Sequence, residues 1–475
     1  MLETGIRQMR TVLSMVLGRR FDVTSLERLV ADARATLAEF GAPGTDVEDV
    51  LDGPYADPAM RRSLQDRALA RTAERLDRLA PFYRERFAAA GVDARKMTTE
   101  TIERVPPTVK ADLAARAADF LCAPRHLATR TTGTTGRPTE VWLSRHEIEL
   151  WPALIAIGLV LRAEITDRDV MALHISLRAT AAVQEDVRAL ALIGAGIRLI
   201  GLVPPDETID DLLDDHGGQP TTVLSTYPSY LAELVTAARR RGLRPDDFPL
   251  RSVVVAGEPL TAALWTTASD TFGARISDTF GMTELLPAGG RTCSHRHLHP
   301  DANMGYAEVL DPDTGEPAEP GAIGTLAVTP YYPYRECMPV FRYDTRDLVR
   351  RLPDEPLGCD QAGMPATGQI LGKASQALRT ADGLVTPRDI AEALDALPGG
   401  VWPWRWAARL DEGRVHLTVP RSNLAGLDRA DLVKGLADAG IDAAVEVADL
   451  DADAARRLRP LRSDLRETTF TRGAK

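Results

Sequence analysis

Lysine is scarce in this chain. Of 57 basic residues among 475, only Lys96, Lys110, Lys373, Lys434 and Lys475 are lysines. Chemistry that needs an ammonium group has few places to draw one from. Cysteine is as sparse: Cys122, Cys293, Cys337 and Cys359 lie far apart with no export signal, which favours a reduced cytoplasmic protein over a disulfide scaffold. No apolar run spans a bilayer; the longest, WPALIAIGLVL at 151–161, falls short of the ~20 residues required. The opening MLETGIRQMRTVLSMVLGRRFD has Glu3 before its apolar run, Arg19-Arg20 after it, and no small-residue cleavage site. It predicts an amphipathic helix and not a signal peptide. A net charge of −11 argues against nucleic acid or an anionic membrane as the main partner. The phosphate loop G-x-x-x-x-G-K-[ST] is missing too, and no repeat or low-complexity tract is present.

What is present is an ordinary globular composition, 44% hydrophobic and 26% charged, in a chain long enough for two or more domains. Residues 1–90 carry apolar positions every three or four residues, as in LERLVADARATLAEF and LARTAERLDRLAPFY, and predict helices. From about 128 short apolar strands alternate with helices. EVWLS leads into a helix starting at His146, and then come DVMALHIS, a helix around VQEDVRALALIGAG, IRLIGLV, TTVLST, the helix PSYLAELVTAARRRG and RSVVVAG. This alternation predicts an α/β fold of layered, largely parallel sheets and helices. Residues 305–350 have β character, and 351–369 are rich in turn formers and read as a boundary. The last hundred residues predict a small α+β unit. It has strands at WPWRWAARL and RVHLTVP, a helix over 425–439 and a strand around AAVEVADL. The expected division is a domain over 1–370, whose first 90 residues are a helical segment, and a domain over 371–475.

Between ATR and EVWLS lies TTGTTGRPT at 131–139, whose hydroxyls and unencumbered amides suit phosphate. AGEPLT (256–261), DTFGMTE (278–284), EVLDPDTGEP (308–317) and RYDTRD (342–347) follow in order. Together these motifs resemble the adenylate-forming enzymes, and among them the phenylacetate–CoA ligase branch. PFYRERFAAAGVD and the PPTVKADL around Lys110 extend the likeness to roughly residues 75–390. The resemblance implies an enzyme that uses ATP and Mg2+. Thr131, Thr132, Gly133, Thr134, Thr135 and Gly136 would wrap the phosphates, with Arg137 where the family usually has lysine. Glu284 would hold magnesium, and Thr283 would bond the α-phosphate or the nascent adenylate. Phe280 would stack on adenine against Gly257-Glu258-Pro259, with Asp278 and Gly281 also at the nucleotide, and Asp347 would accept both ribose hydroxyls.

In such enzymes a carboxylate attacks the α-phosphate, pyrophosphate leaves, and a thiol or amine then displaces AMP after a mobile C-terminal domain rotates. Here the hinge reads LGKASQALRTADGLVTP: Gly372-Lys373 matches the usual Gly-Arg and gives Lys373 a catalytic assignment. The acidic hinge residue is replaced by Ala374 and Ser375, and the following Arg-Gly by Ala381-Asp382. The tail has no Gly-Lys where the family carries its catalytic lysine, leaving Lys475, Arg457, Arg459 or Arg462 as sources of charge. Cys293, His299 and Cys359 stand where some members of the branch bind a structural zinc. Gln361 replaces a second boundary cysteine, so His295 or His297 would complete the set; the alternative is surface histidines on a loop. The acid pocket would be lined by His174, Arg178, Tyr227 and Tyr230, residues that could equally pack the sheet edge. The leading expectation is an ATP-dependent, AMP-forming ligase acting on a small, aromatic acid, with CoA, a carrier thiol or an amine as acceptor. A nitrite-dependent diazotase acting on an arylamine and a non-catalytic nucleotide-binding protein stay open, as does a homodimer.

Overall fold

Residues 2–41, 55–130, 139–162, 164–176, 180–353, 357–359, 361, 363–451, 454, 455 and 458 are described by a computed structural model. An antiparallel pair, β1 (Leu127–Arg130) and β2 (Glu140–Leu143), leads into a seven-stranded sheet. Its strands are β3 (Val170–Leu173), β4 (Gly196–Leu199), β5 (Val223–Thr226), β6 (Ser252–Ala256), β7 (Arg275–Gly281), β8 (Gly289–Thr292) and β9 (Leu298–Pro300). The spatial order is β4-β3-β5-β6-β7-β8-β9. The first five run parallel, as continuous apolar runs such as VMAL require when helices cover both faces.

One face is covered by the helices Pro205–Leu213, Pro228–Arg240 and Ala262–Phe272, which meet it through Leu212, Leu231, Val235 and Leu264. Against the other face lie Val23–Phe40, Arg145–Leu161 and Thr180–Ile193, through Val30, Val160, Leu190 and Ile193. The expected parallel pairing holds through this centre and recurs in the C-terminal unit, whereas β8 and β9 turn back antiparallel. A second sheet is antiparallel, β10 (Gly305–Leu310), β11 (Ile323–Pro330), β12 (Tyr343–Arg350) and β13 (Gly372–Lys373). It packs with the helices Pro58–Leu79 and Pro81–Ala89 around Leu76, Phe87, Leu326 and Phe341.

Beyond β13 a short hairpin, β14 (Leu378–Thr380) with β15 (Gly383–Val385), precedes the helix Pro387–Asp395 and a three-stranded sheet. That sheet consists of β16 (Ala407–Asp411), β17 (Arg414–Pro420) and β18 (Ala443–Ala448). Ile390, Leu394, Trp404, Trp406, Leu417 and Leu432 give it a core of its own. Two expected elements are shorter than read. The strand over WPWRWAARL starts only at Ala407, because Pro403 has no N–H and the Arg405 amide bonds the Asn423 side chain at 3.0 Å instead of a neighbouring strand. The helix over 425–439 is Arg429–Asp438; Asp428 caps it, and Ala425 and Gly426 take positive φ before it.

This unit docks on the first through polar contacts. The Ala262 amide donates to Glu392 at 2.9 Å, Arg296 reaches Glu392 at 3.1 Å, and Arg388 reaches the Leu260 carbonyl at 2.7 Å. The Thr261 hydroxyl meets Asp395 at 2.5 Å, and burial pushes that carboxyl up to about 7. A carboxyl raised in the folded state contributes stability that is complete below its unfolded value and lost as pH rises through about 7. The melting temperature is therefore expected to fall between pH 6 and pH 8, and Asp395→Asn to flatten part of that slope; an unchanged slope in the variant would overturn the assignment.

Candidate functional site

The strand order reverses between β3 and β5, where one crossover runs to β4 and the next leaves the other way. In open α/β sheets, ligands sit outside the carboxyl ends of the strands at such a point. A cleft of about 1060 Å³ opens there, lined by Tyr227 after β5, Gly257 after β6 and Phe280 and Gly281 at the end of β7. Glu258 and Pro259 complete the β6 corner, where Gly257 takes φ +83°, a conformation that favours glycine. The Ser229 amide donates to one Glu258 oxygen at 2.9 Å, while the other Glu258 oxygen is buried without a partner among the described residues.

Beyond β7 the chain turns at once, and Thr283 and Glu284 face the cleft from that turn. Glu284 is only 2% exposed and accepts a bond from the Tyr343 hydroxyl at 3.3 Å. Asp278 lines the same wall; burial pushes its carboxyl up to about 6, against the pull of Arg388 and of the Thr292 hydroxyl at 3.0 Å. From the second sheet β12 brings Asp347, and its register partner on β13 is Lys373. The Lys373 ammonium contacts Asp347 at 2.8 Å and the Thr345 carbonyl at 3.0 Å. Segments distant in sequence thus meet around one space. Lys110 and Arg388 line it as well. Lys110 stands in a motif already singled out, whereas nothing local marks Arg388, a residue in the first turn of a helix.

Residues 131–138, which include Thr131, Thr132, Gly133, Thr134, Thr135, Gly136 and Arg137, lie outside the described residues, as do Arg178, Arg457, Arg459, Arg462 and Lys475. Of the expected acid-pocket residues Tyr227 lines the cleft, but His174 and Tyr230 do not. His174 is fully buried, its Nδ1 3.0 Å from the Thr226 hydroxyl and its Nε2 3.4 Å from that of Thr208. Tyr230 packs edge-on against that ring at 5.3 Å within the sheet–helix core. The chemistry of a histidine suggested a pocket; its hydroxyl partners make it a satisfied core residue.

The CSHRHLH loop folds inward. Cys293, His297, His299 and Cys359 bring one donor atom each to within 4.8 Å of one another. Cys293, His299 and Cys359 are buried, so the reading as surface histidines does not hold for His299. His297 is the fourth donor; His295 is exposed and contacts Ser294. Gln361 lines the cleft, so the set is completed from within the loop and not from the boundary segment. His299 Nδ1 sits 3.2 Å from the Pro365 carbonyl, which turns Nε2 to Cys359 at 3.6 Å, and His297 Nδ1 is buried without a partner among the described residues. Burial raises the Cys293 thiol and lowers His297. Two thiols, two imidazoles and an outer carbonyl that fixes one tautomer are what a tetrahedral metal requires.

Parallel strands that end in a shared cleft, with an α+β unit docked beside it, agree with the family comparisons, which make this an adenylate-forming ligase by class. A family model described as AMP-binding enzyme matches residues 88–332, and the chain belongs to that family. The chain is 29% identical to the phenylacetate-coenzyme A ligase of Thermus thermophilus, covering 75% of this chain and 81% of that one. It is 29% identical to the Escherichia coli phenylacetate-coenzyme A ligase over 62% of this chain and 67% of that one. Among solved structures, 2-hydroxyisobutyryl-CoA ligase in the postadenylation state superimposes with a TM-score of 0.70, at 21% identity, over 83% of this chain and 87% of that one. Among the described residues no helix is long and apolar enough to cross a membrane.

Burial lowers His174 to about 4. A histidine depressed in the folded state withdraws stability as pH falls from its unfolded value near ~6.5 toward about 4. Its ring resonances are expected not to titrate between pH 5.5 and 8. A titration in that window would overturn the core assignment.

Proposed function

We propose that the chain activates a small carboxylic acid with ATP, releases pyrophosphate, and transfers the acyl group from the adenylate to CoA. The observation that carries this reading is the convergence of Gly257-Glu258-Pro259, Phe280, Thr283, Glu284 and Asp347 on one cleft at the strand ends. A carboxylate oxygen attacks the α-phosphorus and the bond to the β-phosphate breaks. A thiolate sulfur then attacks the acyl carbon, and AMP leaves. Phe280 offers a face for adenine, and the Asp347 carboxylate accepts from the ribose hydroxyls while the Lys373 ammonium donates to the same carboxylate. Magnesium on Glu284 would neutralise phosphate charge as it develops. Lys373, Lys110 and Arg388 supply positive charge to the cleft of a chain whose tail lacks the usual lysine. Tyr227 and the apolar sheet residues suit an aromatic acid.

The test is carboxylate-dependent ATP–pyrophosphate exchange with a panel of acids, and a parallel set containing nitrite. Exchange with an acid alone supports the ligase. AMP release only with nitrite and an arylamine would replace it with a diazotase, the reading that the altered hinge and tail favour second. Glu284→Gln is expected to slow exchange by about 10²-fold or more, whereas Asp347→Ala should act mainly on the KM for ATP. Full exchange in Glu284→Gln would remove the magnesium assignment.

The Cys293–His297–His299–Cys359 set is proposed to hold a structural zinc that ties the loop to Cys359. Elemental analysis should find about one zinc per chain. Cys359→Ser should lose it and lower the melting temperature, and a chelator should do the same to the wild type. A metal-free protein whose stability ignores both changes would refute the site.

A further inference from the structure

The cleft continues inward from Tyr227, between one face of the parallel sheet and the helices Arg145–Leu161 and Thr180–Ile193. Its walls there are apolar, built by Ile155, Leu159, Met171, Ile175, Leu190 and Val254. Two carboxylates from one helix, Glu185 and Asp186, also line this space. Glu185 is 9% exposed. Neither acid makes a hydrogen bond or ion pair with any described residue. Arg335 acts on Glu185 through space only, since its guanidinium lies over Trp151 at 5.2 Å and 3.6 Å from Glu147. Burial, with some contribution from the neighbouring acid, pushes Glu185 up to about 8, and burial alone pushes Asp186 up to about 7. Asp186 is half-buried, and acids withdrawn this far from water without a donor among the described residues are unfavourable in the empty protein.

A cation entering the chamber reverses that balance. An ammonium group offers three donors and one positive charge, enough to satisfy both carboxylates at once. An apolar stem between the cation and the reacting carboxylate fits the walls. We propose that the acid activated in this cleft carries a basic nitrogen, held against Glu185 and Asp186 at the end away from the adenylate. This deepens the ligase reading and rests on it. The substrate class becomes amino-bearing acids, aromatic or aliphatic, and neutral aryl acids are disfavoured.

The test uses pairs that differ only by an ammonium in place of a methyl group: para-aminomethylbenzoate against para-ethylbenzoate, and delta-aminovalerate against hexanoate. Binding is measured by calorimetry, and activation separately by ATP–pyrophosphate exchange. The cationic member of at least one pair is expected to bind about tenfold tighter or more, and Glu185→Gln/Asp186→Asn to bring the pair to parity while retaining the neutral member. Should the double variant fail to fold, Asp186→Asn alone is expected to narrow the same ratio. Equal or tighter binding of the neutral members, no binding of either cationic acid, or a preference untouched by the variants overturns the subsite. Exchange with neutral acids alone sinks the subsite and leaves the ligase. Tight, variant-sensitive binding of a cationic acid without exchange does the reverse.

Discussion

The segment from Tyr331 to Arg342 has no regular structure yet is almost wholly buried, and the placement of the site rests on how its backbone is satisfied. A buried loop cannot leave its amides and carbonyls to water. Glu147 answers for two of them: one oxygen accepts the amides of Glu336 at 2.8 Å and Cys337 at 3.2 Å, while the other caps its own helix at Ser144. Trp151, one turn further along that helix, donates to the Tyr334 carbonyl at 2.9 Å. Tyr83 accepts the Phe341 amide at 2.8 Å, and Thr108 donates to the Phe341 carbonyl at 2.7 Å. Arg342, with φ +50°, is held by Glu308 and the Val105 carbonyl. The next residue is Tyr343, the partner of Glu284, and four further on comes Asp347. A helix capping residue thus fixes the approach of the strand that reaches the cleft, and breaking one such buried bond costs about 1–3 kcal/mol.

Much of this was legible in the sequence, and the parts that were not share a cause. The parallel strands are apolar runs bounded by turn formers, and their order along the chain followed directly. Gly257, Phe280, Glu284 and Asp347 sit in local motifs, so their meeting in space was foreseeable before their geometry was. His174 stays open between pocket and core at the level of sequence, because residue type carries chemistry but not partners; the hydroxyls of Thr226 and Thr208 decide for the core. The choice of His297 over His295 is a matter of which side chain a tight loop turns inward, and Arg296, at φ +65° between them, sets that turn. Glu185 and Asp186 were invisible because an acidic pair in VQEDVRALALIG reads as a solvated helix face. The burial of 331–342 was hidden for the same reason, since YYPYREC is full of residues that usually meet water.

Arg296 joins two otherwise separate features. It lies inside the thiol–imidazole loop, and its guanidinium crosses to the Leu260 carbonyl and to Glu392 of the helix Pro387–Asp395. Arg388 reaches the same carbonyl and the same carboxylate from the other side. The order of that loop and the seating of the smaller unit are consequently one problem. Whatever holds Cys293 and His297 in place also holds a contact on which the docked helix depends.

Gly372 lies on the chain between the second sheet and the C-terminal core. Its φ is +117°, and a Cβ there would fall 2.6 Å from Pro387, so no other residue fits without displacing the helix start. On either side the chain is fastened: the Leu371 amide to the Leu348 carbonyl at 2.8 Å, the Arg388 amide to the Leu371 carbonyl at 3.0 Å, and Lys373 to Asp347. A free swivel would drift through a continuum of angles. A joint clasped at both ends must release its fastenings together before it turns. Rotation about Gly372 would therefore be a switch with discrete rest positions and a dwell time in each, and the strength of a few named hydrogen bonds would set its clock.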